Sequence, residues 1–189
     1  MPAPVGGRRR PPAARLAGIG LLAAAVTGAL YAVGRLHPPN YTISLFGQSG
    51  LAAVMLKSLL ASIVLGLATL QVLLALWLYR RLPLAGSPPR PVRLWHRVIG
   101  FALFALTVPV AVHCLLAYGV QLTSPRVAVH SLAGCFFYGA FTAKVLLVQS
   151  RRLPGWALPA AGGALALTVA VLWYTSALWY YNGYHLPGL

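Results

Sequence analysis

Hydrophobic residues fall into five long runs, approximately Leu16–Leu36, Leu51–Tyr79, Leu94–Gln121, Val127–Val148 and Trp156–Tyr180. A bilayer core of about 30 Å is crossed by roughly 20 apolar residues in an α-helix, so each run is long enough to span. The breaks between them, HPPNYTISLFGQSG, RRLPLAGSPPRPVR, LTSPR and SRRLPG, are short and rich in Pro, Gly, Arg and Ser. Inside lipid the backbone must satisfy its own hydrogen bonds, and a closed barrel would need alternating segments of about ten residues, so the runs predict helices. The expected fold is an all-α integral membrane protein, a five-helix bundle. Residues 1–15 form a basic tail, 16–181 the transmembrane domain and 182–189 a short second tail. No internal repeat stands out.

Composition agrees: 59% of the 189 residues are apolar and mean hydropathy is +0.77, too high for a soluble fold of this size. Charge changes the picture more. There are 15 Lys and Arg and no Asp or Glu, so every function that requires a protein carboxylate is excluded. Phosphate-loop, triad and magnesium chemistry lack their residues, which leaves an oxidoreductase component as the enzymatic option.

The basic residues also predict orientation, because positively charged loops stay on the cytoplasmic side. With the N-terminus inside, Arg8 to Arg10, Arg15, Arg80, Arg81, Arg90, Arg93, Arg97, Arg151 and Arg152 are cytoplasmic, whereas Arg35 and Arg126 face the other surface. Five spans then give N-in and C-out in a bacterial cytoplasmic membrane. The first run is read as a retained span rather than a cleaved signal, since no small-x-small site precedes a polar mature domain. The bilayer, including its anionic lipids, is the expected partner of the charge. Nucleic acid is not, because the basic residues are divided among a tail and two loops.

Within the runs stand Lys57, His113, Cys114, Cys135 and Lys144. Ionisable groups in a bilayer are costly and face protein, water or a cofactor. Lys144 lies near the cytoplasmic end and can snorkel, and Lys57 is about two turns inside its span. His113 follows Pro109 by four residues in ALTVPVAVHCLLAYG, where a proline-induced bend would make room for a ligand. His37, His130 and His185 share its side, and the tail LWYTSALWYYNGYHLPGL suits an interfacial aromatic belt. His96 is expected at the opposite interface, beside Trp95 and Arg97. Cys114 and Cys135 sit at similar depth in an antiparallel third and fourth helix, so a disulfide is an option beside two free thiols. Gly119, Gly134 and Gly139 open gaps for close packing or a flat macrocycle, and Gly162–Gly163 for packing.

Neutral imidazole ligates haem iron, copper or zinc without needing a carboxylate. A haem would also bring propionates for Lys57, Arg126 or Arg35, although an anionic lipid or quinone headgroup meets the same demand. In the hairpin, His113 and His130 differ in depth by about six residues, roughly 9 Å, so a haem between them requires tilt or a bend.

The segments LWHRVIGFALFALTVPVAVHC and HSLAGCFFYGAFTAK resemble the paired-histidine helices of transmembrane b-type cytochromes and ferric-reductase-like proteins. Residues 94–181 are also similar to an uncharacterised bacterial family of small multi-pass membrane proteins. The cytochrome resemblance implies b haem in a helical bundle, with His113 and His130 as axial ligands. His96 and His113 are 17 residues apart, about 100° around an ideal helix, so it does not extend to two stacked haems.

The expected function is a membrane electron-transfer subunit with one b-type haem near the outer face, linked to quinol or a periplasmic redox protein. A non-catalytic membrane subunit or assembly factor and a small transporter or channel are the alternatives.

Overall fold

A computed structural model describes residues 12–82, 86–150 and 153–188. Arg8 to Arg10, Arg151 and Arg152, which carry part of the orientation argument, lie outside the described residues. Five helices are long and apolar enough to cross a membrane. They are α1 (Pro12–Leu36), α2 (Gly50–Leu78), α3 (Pro91–Ala117), α4 (Pro125–Gln149) and α5 (Ala157–Trp173). The fifth continues through a π-helical turn, Tyr174–Leu178, and a last turn, Trp179–Tyr181. Among the described residues the only extended pairing is a single bridge between Leu45 and Gln48.

Local chemistry sets several boundaries. Pro91 and Pro125 occupy first-turn positions, where a missing N–H costs nothing. Ser124 caps α4 by accepting from the Val127 N–H at 3.4 Å. The third span ends at Ala117, four residues before the apolar run does, because Gly119 adopts φ +67 and its N–H turns back to the Cys114 and Leu115 carbonyls. Pro109 lies inside a helix that stays continuous on both sides of it.

Neighbours in space differ from neighbours in sequence. α4 packs against α1 and α5, and α2 packs against α3 and α5. α3 and α4 follow one another in sequence, yet long side chains join them rather than close backbone approach: Phe104 stacks on Phe141 with ring centroids 4.0 Å apart and meets Tyr138 edge-on. The Tyr138 hydroxyl donates to Thr107 Oγ1 at 3.2 Å. Around these rings lie Val64 and Ala68 of α2, Leu103 of α3, Phe137 and Ala140 of α4, and Leu165 and Val169 of α5.

α1 is peripheral and buries only Ile19 and Gly34. Glycine lets it approach at two places. A Cβ on Gly139 would collide with Thr27 Oγ1 and lie 2.5 Å from the Ala23 carbonyl oxygen, and one on Gly119 would lie 2.6 Å from the Gly34 carbonyl oxygen. The gaps that Gly119 and Gly139 create are therefore filled by α1, whereas Gly134, Gly162 and Gly163 face open space. Packing is thus the role of the first two, and the Gly162–Gly163 pair makes no close contact. A groove of about 830 Å³, floored by small residues of α4, runs between α1 and α5.

Candidate functional site

The end of the bundle where α3 turns into α4, here the upper end, also carries residues 37–49 and the C-terminal tail. Residues 37–49 form a compact cover. Asn40 N–H donates to the Leu116 carbonyl at 3.2 Å, and Leu45 and Gln48 exchange two backbone hydrogen bonds around Phe46 and Gly47, both at positive φ. Val120 N–H donates to the Gly34 carbonyl at 2.7 Å, tying the α3 terminus to α1. Arg35 Nη1 reaches the Val120 carbonyl at 3.3 Å.

Beneath this cover His113 is 4% exposed. Its Nε2 lies 3.1 Å from the Ile43 carbonyl oxygen. A carbonyl only accepts, so Nε2 carries the hydrogen and Nδ1 presents a lone pair. That Nδ1 is buried and has no protein partner. The Tyr118 ring stands edge-on to His113 at 5.7 Å, and the Lys57 ammonium lies over the same ring, 4.3 Å from its centroid. Lys57 is also within electrostatic reach of His113, Cys114 and His130.

His130 belongs to a neighbouring arrangement on α4 and α5. Its Nδ1 lies 2.9 Å from Thr175 Oγ1, whose own hydrogen goes to the Val171 carbonyl at 2.7 Å. The threonine oxygen therefore accepts from His130, which places the hydrogen on Nδ1 and leaves Nε2 as a free acceptor. The π turn makes this contact part of a larger one. Trp179 N–H donates to Ser176, not to Thr175, its α-helical partner. The Thr175 carbonyl instead accepts from Arg126 Nη1 at 2.9 Å, and the Arg126 guanidinium lies 3.8 Å above the Trp179 ring. Single π turns of this kind recur at functional sites.

Two cations are thus held without a carboxylate, one by an aromatic quadrupole alone and the other by an aromatic face plus a backbone carbonyl. Sequence reasoning found Lys57, His113, Arg126 and His130 but missed Tyr118, Thr175, Trp179 and the Ile43 carbonyl. The weak available signals were the lone Thr and Ser in the apolar run VLWYTSALW, residues that compete for local backbone bonds.

The remaining candidates separate. His185 is exposed, and His37 is half-buried with an unpartnered Nε2. Cys114 and Cys135 are free thiols, half-buried and buried, and Cys135 lines the groove toward α1. Among the described residues no three His or Cys side chains gather in a metal-holding group. A haem held by two histidines takes one free imidazole nitrogen from each ring. His130 offers Nε2 with Nδ1–H anchored, the arrangement that orients a ligating histidine. His113 has the mirror arrangement, with Nε2–H anchored on the Ile43 carbonyl and Nδ1 free, so each ring keeps one nitrogen able to ligate. At the lower end His96 is less exposed than an interfacial residue, with Nδ1 buried and unpartnered, and Lys144 lies within electrostatic reach of it.

A family model covering residues 16–188 matches this chain, which therefore belongs to a family of unknown function, DUF6529. No curated protein and no solved structure matches it. The chain is thus a member of an uncharacterised family with the helices of a multi-pass membrane protein.

Proposed function

We propose that this protein is a membrane electron-transfer subunit whose upper cluster holds the headgroup of a quinone-type carrier. The observation that carries the reading is the His130 ring: Nδ1–H is anchored to Thr175, Nε2 is left as an acceptor, and Lys57 and Arg126 stand nearby with no acid to pair them. Such a headgroup supplies what the polypeptide lacks. Its hydroxyl donates to His130 Nε2 when reduced, and its oxygen accepts from a cation when oxidised. We place this end at the outer face of a bacterial cytoplasmic membrane, N-terminus inside, because Arg35 and Arg126 are the basic residues beside it that oppose eleven on the other side. A periplasmic redox protein then fits as the electron partner.

The cytochrome-like reading is supported by two free imidazole nitrogens, His130 Nε2 and His113 Nδ1, which would be the ones to hold a haem iron. Bound haem would supply one-electron chemistry; the protein's own part would be to orient His130 through Thr175.

The test is titration of the purified full-length chain with a short-chain quinone, read by quenching of tryptophan fluorescence. Saturable quenching is expected, with His130→Ala binding about tenfold more weakly, since one hydrogen bond of about 1.4 kcal/mol corresponds to that factor. Quenching that rises without saturation and is equal in both proteins would overturn the reading. A reduced-minus-oxidised spectrum after expression with ample haem separates the two forms: a haem band lost in both His130→Ala and His113→Ala supports a haem on both rings, and one lost in His130→Ala alone supports a haem on His130.

A further inference from the structure

A second group of polar side chains lies at the lower end, separated from the first by the stacked rings of Phe104 and Phe141. Gln71 interrupts the apolar run TLQVLLALW of α2 and is 9% exposed. Its Nε2 donates to the His96 carbonyl at 2.9 Å, which decides the orientation of the amide and leaves Oε1 pointing elsewhere. That Oε1 is buried and has no partner, and neither has His96 Nδ1. Gly100, one turn beyond His96, leaves room for the amide; a Cβ there would sit 3.4 Å from Oε1. Lys144 of α4 is half-buried and within electrostatic reach of His96, and the chain holds no carboxylate to neutralise it.

The unmet demands define the ligand. Gln71 Oε1 only accepts, so it requires a donor, whereas the Lys144 ammonium only donates and requires an acceptor. A fully ionised anion would answer Lys144 but repel Oε1. An apolar tail would answer neither and would leave a buried carbonyl oxygen unsatisfied. A hydroxyl answers both, with its hydrogen directed to Gln71 Oε1 and its lone pairs turned to Lys144, and it can serve His96 Nδ1 in either tautomer.

We propose that Gln71, His96 and Lys144 form a second ligand site that takes a hydroxyl group. The hydroxyl belongs either to a bound water or to the headgroup of a reduced quinone-type carrier. The water source stands independently of the upper-end reading, and the quinol source rests on it.

The experiment is solid-state NMR of the full-length chain in lipid bilayers, labelled with ¹⁵N at histidine and ¹³C,¹⁵N at glutamine, with a short-chain hydroquinone as the added probe. Transfer of magnetisation from water to the His96 imidazole and the Gln71 side chain, without the probe, supports a bound water. Shifts of those same resonances on adding the hydroquinone support the headgroup. His96 and Gln71 that receive nothing from water and do not move with the probe overturn the site. The His130 resonance reports the upper end separately, so a shift there with a silent His96 sinks this site alone. Gln71→Leu should abolish the response of His96 and spare that of His130; Lys144→Met gives the same reading should the first variant fail to fold. A His96 response unchanged in a folded variant overturns the shared site.

Discussion

The two ends of the bundle handle charge in different ways. At the upper end Lys57 rests on Tyr118, Arg126 rests on Trp179 and donates to Thr175, and both histidines place one nitrogen against an oxygen. At the lower end Gln71 and His96 each keep a buried polar atom without a partner, and Lys144 lies within electrostatic reach of His96. The difference follows from the backbone. Upper-end loops and the π turn expose carbonyls that a regular helix would use internally, whereas Gln71 and Lys144 project from helix interiors whose carbonyls are already engaged. In a chain without acids, aromatic faces and spare carbonyl dipoles take over the neutralising role.

Glycine substitutions should break the comparison most strongly. Gly119→Ala adds a Cβ at positive φ against the Gly34 carbonyl, and Gly139→Ala drives one into Ala23 and Thr27 of α1. Left-handed strain costs about 1–2 kcal/mol and overpacking about 1–3 kcal/mol. We expect losses of about 3 kcal/mol in each, read by denaturant unfolding in detergent micelles; unfolding midpoints equal to wild type would show that α1 is not held as described. Tyr118→Leu removes the face under Lys57 and should cost about 1–2 kcal/mol, the range for a desolvated cation–π pair. The same substitution should leave the lower-end His96 resonance in place, and movement there would tie the two ends together.

Thr175→Val is nearly isosteric but removes the acceptor of His130 Nδ1–H. A cost of about 1 kcal/mol is expected. The sharper readout is the ¹⁵N shift pattern of His130, which should lose its single tautomer; an unchanged pattern would mean that Thr175 does not set it. The smallest effect is predicted at the lower end. Gly100→Ala meets Gln71 Oε1 at ordinary contact distance, and the helix-propensity gain of up to about 1 kcal/mol offsets any adjustment. Destabilisation as large as that of Gly119→Ala would erase the contrast between the ends.

Much of the framework was legible in the residues. Each apolar run became one helix, and first-turn prolines at 91 and 125 marked two starts that the hydropathy placed within three residues. Four of the residues at the upper end were also legible: Lys57, His113 and His130 because a Lys or His inside an apolar run is costly enough to stand out alone, and Arg126 because it is one of two arginines on that side. Tyr118, Thr175 and Trp179 were not, since each is unremarkable until a cation or an imidazole from another helix meets it. Gln71 could have been found as a lone amide within a span. The levelling of Cys114 with Cys135 assumed that consecutive helices pack side by side, and here α4 turns instead toward α1 and α5.

The amino-acid sequence by itself determined that five segments are helices long and apolar enough to cross a membrane, where several of them begin and end, and that no Asp or Glu side chain pairs the cations. Those properties are local: they depend on run length, on proline and glycine, and on the absence of two residue types. Tertiary structure alone decided which helices touch, that Gly119 and Gly139 admit α1, which nitrogen of His113 and of His130 is free, and that Gln71 and His96 each carry an unpartnered buried atom. These depend on contacts between residues from 25 to 116 positions apart in the chain, and no local rule of spacing reaches that far.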